Sequence, residues 1–149
     1  MLQIGDKIPT QIVKIQDDSE ISFPEKGKKY ILFFYPKDNT PGCTAEACSI
    51  RDNYSELKKK GYELYGVSVD SPKSHLKFIE KFDLPFPLIS DEDKKLVNFF
   101  GLWVQKKFMG REYMGTHRAT YIIDENGVIT HLIDKVDTKD AAEQILNLL

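Results

Sequence analysis

A chain of 149 residues, 41% of them hydrophobic, is long enough to bury a core without disulfide staples and reads as a single domain over residues 1–149. Its net charge is −2, with charged residues of both signs interspersed, which argues against a nucleic-acid or membrane surface. The opening Met1 to Asp6 lacks the basic start and apolar run of an export signal, and no later apolar stretch could span a bilayer. A cytoplasmic location is expected, where two cysteines favour a cycling pair over a structural bridge.

Residues Gly5 to Pro24 hold two apolar patches, Ile12-Val13 with Ile15 and Ile21 with Phe23, around the polar turn Asp17-Asp18-Ser19, which predicts an N-terminal edge hairpin. Lys29 to Phe34 is almost unbroken apolar and aromatic, the pattern of a strand buried on both faces. Thr40 and Pro41 then mark a helix start, and Ala47, Ile50, Tyr54 and Leu57 continue an apolar helical face up to a stop at Gly61. Tyr62 to Val69 is the next strand. Ser71 caps and Pro72 opens a second helix, striped by Leu76, Ile79 and Phe82.

Strand, helix, strand in this order implies a parallel pair with a right-handed crossover, so an active site belongs beyond the carboxyl end of the first strand, at Pro36 to Cys43. Leu84 to Ile89 is extended by its two prolines, and Ser90 to Asp93 gives an acidic first turn to a helix of Leu96, Val97, Phe99 and Phe100. Leu102 to Thr116 is expected to be an irregular, solvated connector. Thr120 to Ile123 and Val128 to Ile133 flank a hairpin turn at Asn126-Gly127, and Thr138 caps a final helix carrying Ala141, Ile145, Leu148 and Leu149.

The chemistry concentrates on the first helix. Cys43 falls at its third position, where unpaired N–H groups and a partial positive charge favour thiolate, the nucleophilic form. Helical spacing puts Cys43 on the buried face, and Cys48, five residues on, about 140° round the axis on a flank. Their Cα atoms stand roughly 8 to 9 Å apart in an intact helix, beyond the span of about 4.4 to 6.8 Å that a disulfide needs. A bond between them requires the first turn to unwind.

Two inert apolar cysteines remain an open reading of these positions. The spacing is not C-x-x-C, which disfavours dithiol exchange, and a metal site would need the scattered His75, His117 and His131. His75 and His131 read as packed or exposed rather than catalytic. Strand alternation sends His117 to the face opposite Arg118.

Pro36-x-x-x-Thr40-x-x-Cys43 resembles the active-site signature of the peroxiredoxins, and Pro41-Gly42-Cys43-Thr44-x-Glu46-Ala47-Cys48 resembles their peroxiredoxin Q branch, also called bacterioferritin comigratory protein. The likeness continues through Gly66 to Ser71, Ser74 to Phe78, Leu84 to Asp91, Gly110-Arg111 and Arg118 to Asp124. It implies an α/β, thioredoxin-like fold: a central mixed sheet flanked by helices, with an N-terminal hairpin extension. The implied activity is thiol-dependent reduction of hydrogen peroxide and organic hydroperoxides.

By the same resemblance Cys43 is the peroxidatic and Cys48 the resolving cysteine, forming an intramolecular disulfide that thioredoxin or a similar dithiol protein reduces. Thr40 donates to the thiolate and the incoming peroxide, Pro36 shields the sulfur and Arg118 reaches the pocket from a later strand. Glu46 matches the acid that pairs with arginine, and Thr40, Gly42, Cys43, Arg118 and Glu46 form the substrate-binding set. No metal or organic cofactor is implied, and the chain is expected to be a monomer. A redox-responsive binding protein and a general disulfide oxidoreductase are the alternatives.

Overall fold

The computed structural model describes all of residues 1–149. In chain order its first half comprises β1 (Gln11–Ile15), β2 (Glu20–Phe23), β3 (Lys29–Phe34), α1 (Pro41–Asp52), α2 (Tyr54–Lys59), β4 (Tyr62–Ser68) and α3 (Pro72–Phe82). The second half comprises β5 (Leu88–Ser90), α4 (Lys95–Phe99), β6 (Trp103–Phe108), β7 (Arg111–Thr116), β8 (Ala119–Ile123), β9 (Ile129–Ile133) and α5 (Ala141–Leu146). Seven strands make one mixed sheet in the order β2-β1-β5-β4-β3-β8-β9. β3, β4 and β5 are parallel neighbours, β8 and β9 complete one side antiparallel, and the β1–β2 hairpin forms the other edge, as the two apolar patches predict.

Alternation along β3 divides the core. Tyr30, Leu32 and Phe34 pack on one face of the sheet with Val67, Leu96, Val97, Phe100 and Tyr121. Ile31, Phe33 and Tyr35 pack on the other with Cys43, Ala47, Ile50, Phe78 and Ile145, so α1, α3 and α5 cover that face. Both faces of β3 are therefore dry, which is why its sequence is a continuous apolar run. Gly66 on β4 makes room for this packing: a Cβ there would meet Phe33 and Leu88 side-chain carbons at 2.7 Å.

The structure corrects four expectations. The first helix does not run unbroken to Gly61: it breaks at Asn53, whose side-chain amide donates to Ser49 O at 2.9 Å and competes with the backbone ladder. The 102–116 connector is a two-stranded ladder, β6 with β7, closed by Met109 and Gly110 at φ of 51° and 78°. That is the backbone of a tight hairpin turn, on a methionine that rarely signals one. Asp137, not Thr138, caps the last helical segment, its carboxylate accepting from Lys139 N at 3.2 Å in a 3-10 turn over Thr138–Asp140 that precedes α5. Leu84–Ile89, read only as extended, joins the sheet at Leu88 and Ile89, beyond the prolines that cannot donate to a ladder.

The entry to α4 is the fourth: Ser90 ends β5, the helix starts only at Lys95 with no acid in its first turn, and of the acidic stretch Asp91 alone reaches its N–H groups, from outside the helix. Asp91 accepts from Leu96 N at 3.0 Å and Val97 N at 2.8 Å, while burial pushes its pKa up to about 6.

Candidate active site

Tyr35 carries β3 one residue further, its N–H donating to Val67 O at 3.0 Å. The chain then turns through Pro36 to Asn39, the latter at a left-handed φ of 59°, and Thr40 returns to extended backbone before Pro41 starts α1. The first helical bond runs from Thr44 N to Thr40 O at 2.8 Å, so Cys43 is the third residue of the helix, as its spacing predicts. Helix geometry leaves the Gly42 and Cys43 N–H groups without intrahelical acceptors. Cys43 is only 2% exposed, and Pro36 beside the turn is half-buried.

Thr40 stands at the N-cap but does not cap. Its hydroxyl donates to Lys37 O at 2.9 Å, closing the turn, and makes no bond to the helix N–H groups. One hydroxyl proton serves one acceptor, so in this state Thr40 gives no proton to the Cys43 sulfur, contrary to the expectation that it would.

Arg118 reaches the same sulfur from the residue before β8: Nη2 donates to Cys43 Sγ at 3.3 Å while Nη1 pairs with Glu46 Oε1. The fork thus joins the Cys43 sulfur and the Glu46 carboxylate, a two-pronged geometry that suits a planar guanidinium. Gly42 lies against it, where a Cβ would stand 3.4 Å from Nη2. Glu46 is fully buried with Oε2 unpartnered; burial raises its pKa to about 7 even though Arg118 pulls the other way. Burial works against the charge on Arg118, but Glu46 and Cys43 outweigh it and raise the guanidinium's pKa.

His117, one residue before, pairs with Asp134 at 2.6 Å; His117 and Arg118 both lie in the link between β7 and β8, not in a strand, so alternation along a strand does not set their directions. Lys106 of β6 is a residue that sequence reasoning left in a solvated loop. Burial holds its pKa down, Arg118 lowers it further, and Cys43 partly offsets both, so the β6–β7 hairpin stands within the charge field of the site.

Cys48 is half-buried on the flank of α1 and, like Cys43, is a free thiol. The helix between them is intact, so the two cannot bond without local unwinding. His75 is buried and packed, as expected, and carries hydrogen bonds that the sequence did not foretell.

A thioredoxin-like mixed sheet with a buried thiol at a helix start, met by an arginine from a later strand, defines a thiol-dependent peroxidase of peroxiredoxin type. The AhpC/TSA family pattern matches residues 4–132, and the chain belongs to that family. It is 42% identical over 149 residues to the putative peroxiredoxin bcp of Haemophilus influenzae, covering 99% of this chain and 96% of that protein. Peroxiredoxin Bcp of Escherichia coli K12 is 41% identical with the same coverage. Among solved structures, a cysteine mutant of Xylella fastidiosa PrxQ superposes with a TM-score of 0.93 at 28% identity, covering 99% of this chain and 95% of that one. Xanthomonas campestris peroxiredoxin Q superposes at 0.86 and 31% identity, covering 93% and 88%.

Proposed function

We propose that Cys43 is the peroxidatic nucleophile and that the chain reduces hydrogen peroxide and organic hydroperoxides through a cycle closed by Cys48. The observation carrying this reading is the 3.3 Å contact between Arg118 and the Cys43 sulfur, with Glu46 holding the guanidinium from behind. In the first step the thiolate attacks the terminal peroxide oxygen. An S–O bond forms, the O–O bond breaks, and the departing oxygen leaves as hydroxide or alkoxide and takes a proton from solvent.

Negative charge moves from sulfur to the leaving oxygen in that step, so donors fixed around its path lower the barrier. Arg118 and the free N–H groups of Gly42 and Cys43 are such donors, and the Thr40 oxygen can accept the peroxide O–H and align it with the sulfur. The resulting Cys43 sulfenic acid is attacked by Cys48 after the first turn unwinds, which forms the disulfide and releases water. A thioredoxin-like dithiol protein then reduces the disulfide. Alkyl peroxide reduction by the related Xanthomonas campestris bacterioferritin comigratory protein, named in that structure's description, supports organic hydroperoxides as substrates.

The test is a pair of variants followed by peroxide consumption and intact mass. Cys43→Ser abolishes turnover, whereas Cys48→Ser still consumes one equivalent of peroxide and accumulates a sulfenic acid instead of a disulfide. Retained turnover in Cys43→Ser contradicts the reading.

A further inference from the structure

Beneath the Pro36–Thr40 turn lies a buried polar cluster that the proposed cycle does not use. Asp38 sits at its centre: Oδ1 accepts from the Tyr35 hydroxyl at 2.6 Å, and Oδ2 accepts from Ser74 Oγ at 2.8 Å and faces His75 Nδ1 at 2.8 Å. Its backbone N–H donates to Asp70 Oδ2 at 2.8 Å, and Asp70 also accepts from Ser68 Oγ at 2.6 Å. On its far side the His75 ring meets Ile89 O at 2.9 Å. The turn is thereby tied to the ends of β3 and β4, to α3 and to β5.

The hydrogen-bond inventory counts protons. Ile89 O can only accept, so His75 Nε2 carries a hydrogen. The 2.8 Å contact between Nδ1 and Asp38 Oδ2 then needs a second one, since without it two lone pairs would face each other in a buried site. Tyr35 does not supply it by ionising: burial above all, and then Asp38, raise its pKa well beyond the ordinary value, so its hydroxyl remains a donor. The titratable groups facing one another here are Tyr35, Asp38, Asp70 and His75.

These same atoms are the cluster's possible metal ligands, since Asp38, Asp70 and His75 bring ligand atoms within 4.8 Å of one another. Direct hydrogen bonds already occupy them.

We infer that Asp38 and His75 are a positioning pair for the reaction, their 2.8 Å hydrogen bond fixing the turn that sets both the Thr40 hydroxyl and the first helical turn carrying Cys43. Neither residue touches the sulfur. Their effect passes through the backbone from Asp38 to Thr40, whose carbonyl accepts the first bond of α1. This inference rests on the peroxidase reading for its consequence in rate, and on the fold alone for its consequence in helix order.

Two substitutions separate a positioning role from mere packing. The amide of His75→Asn can stand where Nδ1 stands and keep the link to Asp38, whereas that of His75→Gln reaches the Nε2 position and keeps only the link to Ile89. Each is measured for the second-order rate of Cys43 with hydrogen peroxide and for amide exchange at Gly42, Cys43 and Thr44. His75→Gln should slow the reaction about tenfold or more and speed exchange in that turn, because a small misplacement of reacting groups is costly. His75→Asn should stay within about threefold of the native rate.

Equal losses in both variants would make His75 a packing residue and overturn the proposal, as would native behaviour in both. If neither variant folds, Tyr35→Phe decides, since it removes the hydroxyl that donates to Asp38 at 2.6 Å and lies 3.5 Å from His75 Nδ1, loosening both members of the pair: faster exchange in the first turn supports the proposal and native exchange overturns it. A native protein that reacts no faster than free cysteine would instead refute the peroxidase reading, and exchange would still decide the positioning role.

Discussion

A single guanidinium joins the Cys43 sulfur to a buried acid, and the two bonds make different demands on it. Arg118→Ala should lower kcat/KM by about 100-fold through loss of a preorganised donor. Arg118→Lys should recover little of that, because a point charge lacks the planar fork that suits sulfur and Glu46 together; an unchanged kcat/KM in either variant would contradict the assignment. Glu46 adds a pH signature to stability. Its pKa is about 7 in the fold against an ordinary 4.5, so below 4.5 both states are protonated and the group adds no pH dependence.

Between 4.5 and 7 the unfolded chain gives up this proton while the folded chain keeps it, and stability falls with rising pH by about 3 kcal/mol in total. Glu46→Gln should remove that slope from urea unfolding measured across the same range, and identical slopes would refute the assignment. At this scale the meeting of Cys43, Arg118 and Glu46 was legible from the resemblance. The Asp38–His75 contact was not, since residues 37 positions apart announce no partnership until the sheet brings α3 beside the turn.

In the proposed cycle the first turn of α1 both carries the nucleophile and must give way. Its unpaired N–H groups surround Cys43 only while the turn is wound, and the proposed disulfide needs it unwound. The oxidised protein should therefore exchange amide protons faster across residues 42–47 than the reduced one, with the change absent in Cys48→Ser; equal protection in both redox states would exclude a Cys43–Cys48 bond. The start of this helix was readable because Thr40-Pro41 follows a buried strand directly. Its end was not, because the apolar spacing continues through Tyr54 and Leu57 while Asn53 breaks the backbone by a side-chain bond that periodicity cannot register. The β6–β7 hairpin was missed for a related reason: lysines and a left-handed methionine at the turn hide a regular ladder.

Across the whole molecule, the sheet separates a structural core from the face that carries chemistry, and β3 belongs to both. Gly66 shows how tightly they are coupled, since any side chain there collides with Phe33 and Leu88 on the face that supports α1. Gly66→Ala should cost about 1 to 3 kcal/mol of stability in denaturant unfolding, and a native midpoint would mean that β4 shifts freely. The fold class and three of the six strand pairings, β1–β2, β3–β4 and β8–β9, were legible from apolar runs, turn residues and a helix between parallel strands. The antiparallel joining of β1 to β5 depends on contacts between segments about 75 residues apart, which local patterns do not encode.

The central claim is that Thr40, Arg118 and the end of α1 assemble a peroxide site around Cys43. The most direct measurement is the second-order rate of the fully reduced protein with hydrogen peroxide, followed as loss of the Cys43 thiol, with free cysteine as reference. A rate orders of magnitude above free cysteine is the predicted result. A rate equal to that of free cysteine would contradict the account.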